Sequence, residues 1–390
     1  MRILSYLNLS NPSNLEADSG FVFQRTLLRE IAVRHQVYLI GPHGMDGLGA
    51  DVVPIKTAFP ETKFGVRFGF AYDGLKIALS ALPACDILIS NQTELAIPLL
   101  ALCYEGWGMR IKCISYFHYL AIQGFNAGQP CYDPSLNVEG FGAAIWDRQK
   151  EAFIQSDINI IGSKFGKCLL MKALGASFDD AQISVLPPPA IIKAGNDQAY
   201  GHAGKRPVIV YNHRLYGHYG GVKLFEILAR LYENHDFSLV ITDPTFRRSG
   251  ERNKLDNSVQ DVREFLGSLP FVKLSHFRSQ LEYGELLQEA DFALGPLRVG
   301  ALWSMAIVDA MSAGKPVIAF NDGAFAEVIQ DEELLVSDEA GFRKVFIKLL
   351  TDESFRTAKG KQAREIAGRY DVRSIADKFE RIFQHIMANK

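Results

Sequence analysis

Two α/β halves joined at a proline-marked hinge are what this sequence predicts, on three observations. Short apolar runs alternate with longer amphipathic stretches, the pattern of βαβ units around a parallel sheet. That pattern stops once, at Val185-Leu186-Pro187-Pro188-Pro189, and then starts again. The chain's 390 residues also exceed what one hydrophobic core usually organises, so two domains of under ~200 residues each are expected. Each half is expected to be Rossmann-like, the two facing a cleft.

In order, residues 2–7 read as a strand. Residues 21–34 read as a helix, with Phe21, Leu27, Leu28, Ile31 and Ala32 at helical spacing, and 36–40 as the next strand. Residues 75–82 look helical, 86–90 extended, 93–104 helical, and 113–117 and 159–162 extended. The three prolines favour a stiff, extended connector, and the polar stretch 190–206 that follows looks like a linker. The second series runs strand 207–211, helix 222–234, strand 238–242, helix 283–289, strand 292–295, helix 304–312 and strand 316–320. Helices at 342–350, 353–368 and 375–387 close the chain. The expected organisation is therefore a first domain over 1–188, a linker over 189–206, a second domain over 207–368 and a terminal helix within 369–390.

Composition narrows the function classes. A content of 48% apolar and 22% charged residues is that of a globular chain able to bury a sizeable core. A net charge of -2 gives no global attraction to a polyanion or an anionic membrane, leaving only local basic patches. No apolar run reaches the ~18 residues that span a bilayer, and stable membrane insertion is not expected. The opening residues read as a first strand rather than a signal peptide. Cys85, Cys103, Cys113, Cys131 and Cys168 are odd in number and form no C-x-x-C pair. Buried free thiols and a reducing, cytoplasmic compartment are expected, not a zinc site or disulfide framework. No D-x-D triplet, G-x-S-x-G elbow, H-E-x-x-H or Walker loop is present, and no metal or cofactor is expected.

The most informative window is 297–330, LRVGALWSMAIVDAMSAGKPVIAFNDGAFAEVIQ. A glycine-containing loop (Val299-Gly300-Ala301-Leu302) leads into a helix starting near Trp303 or Ser304. Free backbone N–H groups at that start suit a diphosphate. Asp309, about one and a half turns along, is placed to accept two hydrogen bonds from a ribose diol. An ordinary helix–glycine–strand connection with a surface Asp is the other reading of the same geometry.

The window resembles the nucleotide-sugar signature of the large retaining GT-B glycosyltransferase family that includes glycogen synthases, sucrose synthases and phosphatidylinositol mannosyltransferases. That signature reads E-x7-E-A-M-A-x-G-x-P-V-V-A, then G-G and a Glu. Val308-Asp309-Ala310-Met311-Ser312-Ala313-Gly314-Lys315-Pro316-Val317-Ile318-Ala319 is similar to it, and Gly323 and Glu327 keep the later spacing. The resemblance implies a GT-B fold whose C-terminal helix crosses back to the first domain. It also implies a nucleotide diphosphate sugar as co-substrate, a UDP-sugar first among them. The family's ribose-binding second Glu falls on Asp309. Its first Glu, which approaches the donor sugar, falls on Ala301, so that carboxylate is missing.

The same resemblance extends to Val208–Leu215, where a strand ends in Asn212-His213-Arg214. It implies Arg214 as a diphosphate ligand and Asn212 beside it, a guanidinium being suited to paired bonds to phosphate. The family's second cation falls on Tyr219, with Lys223 nearby as a replacement. Leu302, Trp303 and Ser304 supply the helix-start amides, and Ser275 lies where relatives hold the nucleotide base. In the first half, His118 ends a strand as the family's sugar-facing His does, a structural His being the alternative. Ser19-Gly20 resembles the family's glycine-rich first loop, a turn and helix cap being equally economical. Ser163 reads as a helix cap.

These implications describe a retaining, metal-independent transfer of a hexose to an acceptor hydroxyl, with Arg214 and His118 as catalytic groups. The Asn-His-Arg run resembles enzymes that mannosylate the queuosine base of transfer RNA, and phage transferases acting on modified DNA bases. The acceptor is accordingly expected to be a glycan or a modified base in DNA or tRNA. The aromatic, basic segment 59–72, with Lys63 and Arg67, is either part of an acceptor surface or a packed loop. A GT-B protein that binds a nucleotide or glycan without turnover is the alternative that Ala301 and Tyr219 motivate. A nucleotide-sugar epimerase of the same architecture explains the Asp309 window less well.

Overall fold

The computed structural model describes residues 1–8, 18–42, 52–57, 67–69, 72–134, 140–175, 182–192, 206–242, 258–277 and 279–388. The chain divides into two compact units, one of residues 1–189 with 372–390 and one of residues 190–371.

The first unit has strands β1 (Arg2–Tyr6), β2 (Gln36–Pro42), β3 (Val52–Thr57), β4 (Ile87–Ser90), β5 (Lys112–Phe117), β6 (Ile122–Asn126), β7 (Gln129–Tyr132), β8 (Ile158–Ile161) and β9 (Ile183–Val185). Its helices begin with α1 (Ser19–Ala32), α2 (Tyr72–Ser80), α3 (Ala96–Trp107), α4 (Gly142–Gln155) and α5 (Lys164–Leu174). Seven strands form a parallel sheet in the order β3-β2-β1-β4-β5-β8-β9, and β6 and β7 make a separate hairpin. The apolar runs are continuous because helices cover both faces. Ile3, Ile87, Ile89 and Ile114 pack on α1, while Leu4, Leu88 and Cys113 pack with Leu75, Leu79, Leu99 and Leu102 of α2 and α3.

The second unit runs β10 (Val208–Tyr211), α6 (Gly221–Tyr232), β11 (Ser238–Thr242), α7 (Ser258–Gly267), β12 (Val272–Ser275), α8 (Gln280–Glu289) and β13 (Phe292–Leu294). It continues through α9 (Met305–Ser312), β14 (Val317–Phe320), α10 (Phe325–Ile329), β15 (Leu335–Val336), α11 (Glu339–Thr351) and α12 (Glu353–Ala367). Its parallel sheet is ordered β12-β11-β10-β13-β14-β15, the doubly wound Rossmann order. The final helix α13 (Val372–Ala388) belongs to the first unit, with Phe379 and Phe383 in the cluster on α1 and His35 bonded to Glu380 at 2.6 Å.

Two sequence expectations change. The first sheet gains a strand that the sequence reading did not assign: Val185 ends β9, and buried Leu186 donates its N–H to Ile161 and accepts from the Tyr116 hydroxyl at 2.8 Å. Burial of Leu186 thus completes the sheet before the prolines begin. Cys85, Cys103 and Cys113 are buried free thiols, but Cys131 and Cys168 are exposed. Cys131 lies on the hairpin, outside the core, and Cys168 on a polar face of α5. Among the described residues no helix is long and apolar enough to cross a membrane. Lys63 and most of 190–206 lie outside the described residues.

Candidate functional site

In a doubly wound sheet, ligands collect at the carboxyl edge where the strand order reverses. In the second unit that point lies between β10 and β13, which pair at Ile209–Phe292 and Val210–Ala293. Asn212, His213 and Arg214 leave β10 there. Asn212 is buried, and its Nδ2 donates to the Tyr283 hydroxyl at 2.8 Å and to the Ala306 carbonyl at 2.7 Å. It is therefore a strut from the strand end to α8 and the first turn of α9. Tyr283 in turn donates to Asp309 Oδ2 at 3.1 Å, which fixes the carboxylate that the sequence singled out. Burial and the Asp309 charge raise the Tyr283 pKa well above the ordinary phenol value, so the hydroxyl keeps its proton.

Glycine contacts hold the neighbouring loops in register. Gly300 and Gly323 have φ of +65° and +57°, a region open to glycine at little cost. A Cβ on Gly323 would stand 2.5 Å from the Ala301 carbonyl oxygen and 2.6 Å from its nitrogen. The Gly300 N–H donates to Asp322 at 2.7 Å, and the Ala324 N–H to the Ala301 carbonyl at 2.8 Å. Ala301 and Leu302 are buried, and Trp303 meets the Tyr370 ring edge-on at 5.0 Å. Ser304 is the cap of α9, its hydroxyl accepting from the Ile307 N–H at 3.3 Å. The N–H groups of Met305 and Ala306 then have no intrahelical acceptor.

Tyr219 lies in the turn before α6. Gly220, at φ +65°, packs so closely that a Cβ would meet Leu297 Cβ at 2.6 Å. This contact brings Arg298 against Tyr219, with Nη1 3.1 Å from the hydroxyl and the guanidinium 5.1 Å from the ring centre. Lys223, suggested as the replacement cation, is exposed on α6, and Arg298 rather than Lys223 meets Tyr219. Arg298 was missed, although it stands two residues before the loop glycine in the window already singled out. Arg214 is half-buried, and Ser275 pairs with buried Thr242 at the same sheet edge. His213 is buried, and desolvation, with a smaller contribution from Arg298, lowers its pKa to about 3.

The first unit has a corresponding edge between β1 and β4. Asn8 and Gln92 exchange hydrogen bonds across it, at 2.8 and 2.9 Å. Just beyond stands Glu94, whose side chain is fully buried and pairs with Arg67 at 2.9 Å and with the Tyr119 hydroxyl. Burial raises its pKa although Arg67 opposes the shift. The Gln92-Thr93-Glu94 run at a strand end was the overlooked signal. His118 packs its ring on Phe23 at 4.2 Å and Tyr116 at 4.6 Å, and desolvation lowers its pKa to about 3. Its imidazole is neutral at pH 7 and can serve in hydrogen bonding, not as a cation. Ser19 is not the cap of α1: Asp18 accepts from the Phe21 N–H at 2.9 Å, leaving Ser19 and Gly20 in the first turn. An Asp carboxylate outcompetes the serine by standing one residue earlier, in extended backbone. Ser163 does cap α5, accepting from the Gly166 N–H at 3.1 Å.

Residues 193–366 match the family model described as glycosyl transferases group 1. The match is confined to the second unit and takes in just under half of the chain. No curated protein matches the chain by sequence. Among solved structures, a sucrose-phosphate synthase from Thermosynechococcus elongatus is similar at 16% identity and a TM-score of 0.76, with 100% of both chains covered. Anabaena HepE in complex with UDP-glucose is similar at 16% identity and TM-score 0.68, covering 99% of this chain and 100% of that one. A structure of trehalose-6-phosphate from E. coli bound with UDP-2-fluoro glucose is similar at 12% identity and TM-score 0.69, covering 98% of this chain and 99% of that one. These likenesses give the chain the GT-B fold. The matched segment holds Asn212, Arg214, Tyr219, Ser275, Ala301–Ser304 and Asp309, and Arg298 with them.

Proposed function

We propose that this chain is a nucleotide-sugar-dependent glycosyltransferase that moves a hexose from a nucleoside diphosphate sugar, a UDP-sugar first, to an acceptor hydroxyl with retention. The observation that carries the reading is the fixed Asp309 carboxylate. Tyr283 and Asn212 hold it just over one turn into a capped helix, at the strand-order reversal of the matched segment. The carboxylate suits a ribose diol, and the Met305 and Ala306 amides with Arg214 suit a diphosphate. The similar structures bound to UDP-glucose and UDP-2-fluoro glucose support the donor class.

In this reading the acceptor hydroxyl attacks the anomeric carbon from the face that the diphosphate leaves. The anomeric C–O bond to phosphate breaks, the new glycosidic bond forms, and a donor phosphate oxygen takes the hydroxyl proton. Charge develops on the departing diphosphate, where Arg214 and the helix amides stabilise it. His118 contributes a neutral hydrogen-bonding ring. The acceptor is a glycan or a modified nucleic acid base. The free cysteines suit a cytoplasmic setting.

Ala301 favours a second reading, binding without turnover. It is buried with its carbonyl bonded to Ala324, so no carboxylate reaches a donor sugar from that position. A thermal-shift panel of UDP, GDP, ADP and their sugar conjugates tests binding, since ligand at ~100 times its dissociation constant adds about 2.7 kcal/mol. Product analysis for transfer or donor hydrolysis then separates the two readings. Arg214→Ala is expected to lower transfer ~10- to 100-fold at subsaturating donor, the worth of a charge-assisted bond. An unchanged rate would remove Arg214 from the site.

A further inference from the structure

We infer that Asn91 and Gln24 form a binding site in the first unit for an uncharged ligand edge that offers a hydrogen-bond donor beside an acceptor. The family match stops short of this unit, and neither residue has an assigned role. Asn91 follows β4 at its carboxyl end and is 3% exposed, yet neither its Oδ1 nor its Nδ2 has a partner among the described residues. Gln24, on α1 and 2% exposed, leaves its Oε1 without one. Buried amide groups are normally satisfied, and each orphaned atom carries a desolvation cost that a bound ligand can return.

The surroundings fix both side chains. Ser90 spends its hydroxyl on the Gln92 carbonyl, and the Gln92 amide exchanges bonds with Asn8, so the neighbours of Asn91 are satisfied while Asn91 is not. Gln24 is oriented from behind, its Nε2 donating to the Ser5 hydroxyl at 2.8 Å and to the Tyr6 carbonyl at 3.1 Å. Ser5 gives its own proton to the Ile89 carbonyl, and a carbonyl only accepts, so the amide cannot turn round and Oε1 is its open end. Ser5 is level with Ile89 and Tyr6 with Ser90, which puts Asn91 one residue beyond the strand pair that Gln24 is tied to. Ile89 packs in the cluster on α1, and strand alternation puts Asn91 on that same face. Two amide oxygens and one amide nitrogen suit the vicinal diol of a sugar or the amide edge of a base. The site deepens the transfer reading by giving the acceptor an uncharged contact, and rests on that reading only for this role.

The test is thermal unfolding of the full chain together with saturation-transfer NMR on two probes, methyl glucoside for the diol and guanosine for the base edge. Asn91→Leu keeps the branched outline and removes both orphaned atoms, so the melting temperature is expected to hold or to rise by up to about 3 °C. The same variant should weaken whichever probe binds the parent chain by about 5- to 50-fold, the worth of two neutral hydrogen bonds. Stability kept or gained while binding is lost is the signature of a residue held for a ligand. Asn91→Ala, which cannot overpack, repeats the binding comparison if leucine does not fit. Gln24→Met should instead lower the melting temperature and the binding together, because it also strips Ser5 and Tyr6 of a donor. An ordered water satisfying Asn91 would reverse the result: Asn91→Leu would melt earlier and bind both probes as the parent chain does, and the inference falls. It falls too if neither probe binds the parent chain. UDP titration of the same proteins decides the donor reading separately, since a parent chain that fails to bind UDP sinks that reading and leaves the unfolding and probe results to decide this one.

Discussion

Between β1 and β4 of the first unit, two amides close the sheet edge, and a buried carboxylate follows: Asn8 and Gln92 exchange bonds, and Glu94 lies beneath Arg67 and Tyr119. Between β10 and β13 of the second unit, the same topological position carries glycines and two arginines, with the Asp309 carboxylate tied to a tyrosine and Asp322 to the Gly300 N–H. Both sheets share their strand order from the third strand through the first to the fifth. The fold therefore fixes where a ligand gathers, and the residues just past each strand fix its charge. A buried carboxylate accepts hydrogen bonds from hydroxyl groups and repels phosphate, whereas helix amides and guanidinium groups attract phosphate. At the first edge the carboxylate is already occupied by Arg67 and Tyr119, whereas the second edge offers amides and guanidinium groups that suit an anion.

The comparison is broken most directly at Gly323. In Gly323→Ala the new Cβ meets the Ala301 carbonyl oxygen at 2.5 Å in a backbone conformation at φ +57°. The obstacle is backbone, so the loop itself must move, and a loss of about 3 kcal/mol is expected. Denaturant unfolding should show the loss in the second unit, and nucleotide binding should fall with it. Retained stability and binding would mean that the Ala301 loop does not depend on this contact.

A smaller effect concerns the histidines at the two edges. His213 is neutral in the fold, with its pKa lowered to about 3 by burial first and by Arg298 in addition. A depressed folded-state pKa gives stability that is complete above the unfolded value and lost as pH falls. From about pH 6.5 down to pH 5, this one residue should cost the second unit about 1.4 kcal/mol per pH unit, about 2 kcal/mol in all. His213→Gln should flatten that slope, measured by denaturant unfolding at pH 7, 6 and 5. An unchanged slope would show that His213 is protonated in the native state. His118 carries a shift in the same direction in the first unit.

How much of this was legible varies with the interaction. Strands buried on both faces were read correctly from four-residue apolar runs such as Ile87–Ser90. Edge strands were not: β3 carries Pro54, which reads as a break and is tolerated only because the strand lies at the margin, and β15 is two residues long. Asp309 was legible through its window, but its support was not. Asn212 and Tyr283 are 71 residues apart, and no local period reports such a contact. Asn212 was expected to touch donor and instead spends its amide nitrogen on Tyr283 and Ala306. Glu94 was passed over because it was read as part of the first turn of the 93–104 helix, where an acidic residue is ordinary. Its burial is decided by Arg67 and Tyr119, which come from other segments.

The smallest expected effect is at Lys223, the residue that spacing alone offered as the missing cation. It is exposed in the first turn of α6, and among the described residues no carboxylate pairs with it. Removing an exposed lysine changes stability by under about 0.5 kcal/mol, and long-range attraction to a ligand is screened within about 10 Å at ordinary salt. Lys223→Ala should therefore bind UDP within about twofold of the parent chain, at low and at physiological salt. Affinity that falls tenfold at both would place a donor-binding positive charge on α6. Affinity that falls only at low salt would mark Lys223 as part of the general field around the edge, with Arg214 kept as the proposed direct contact.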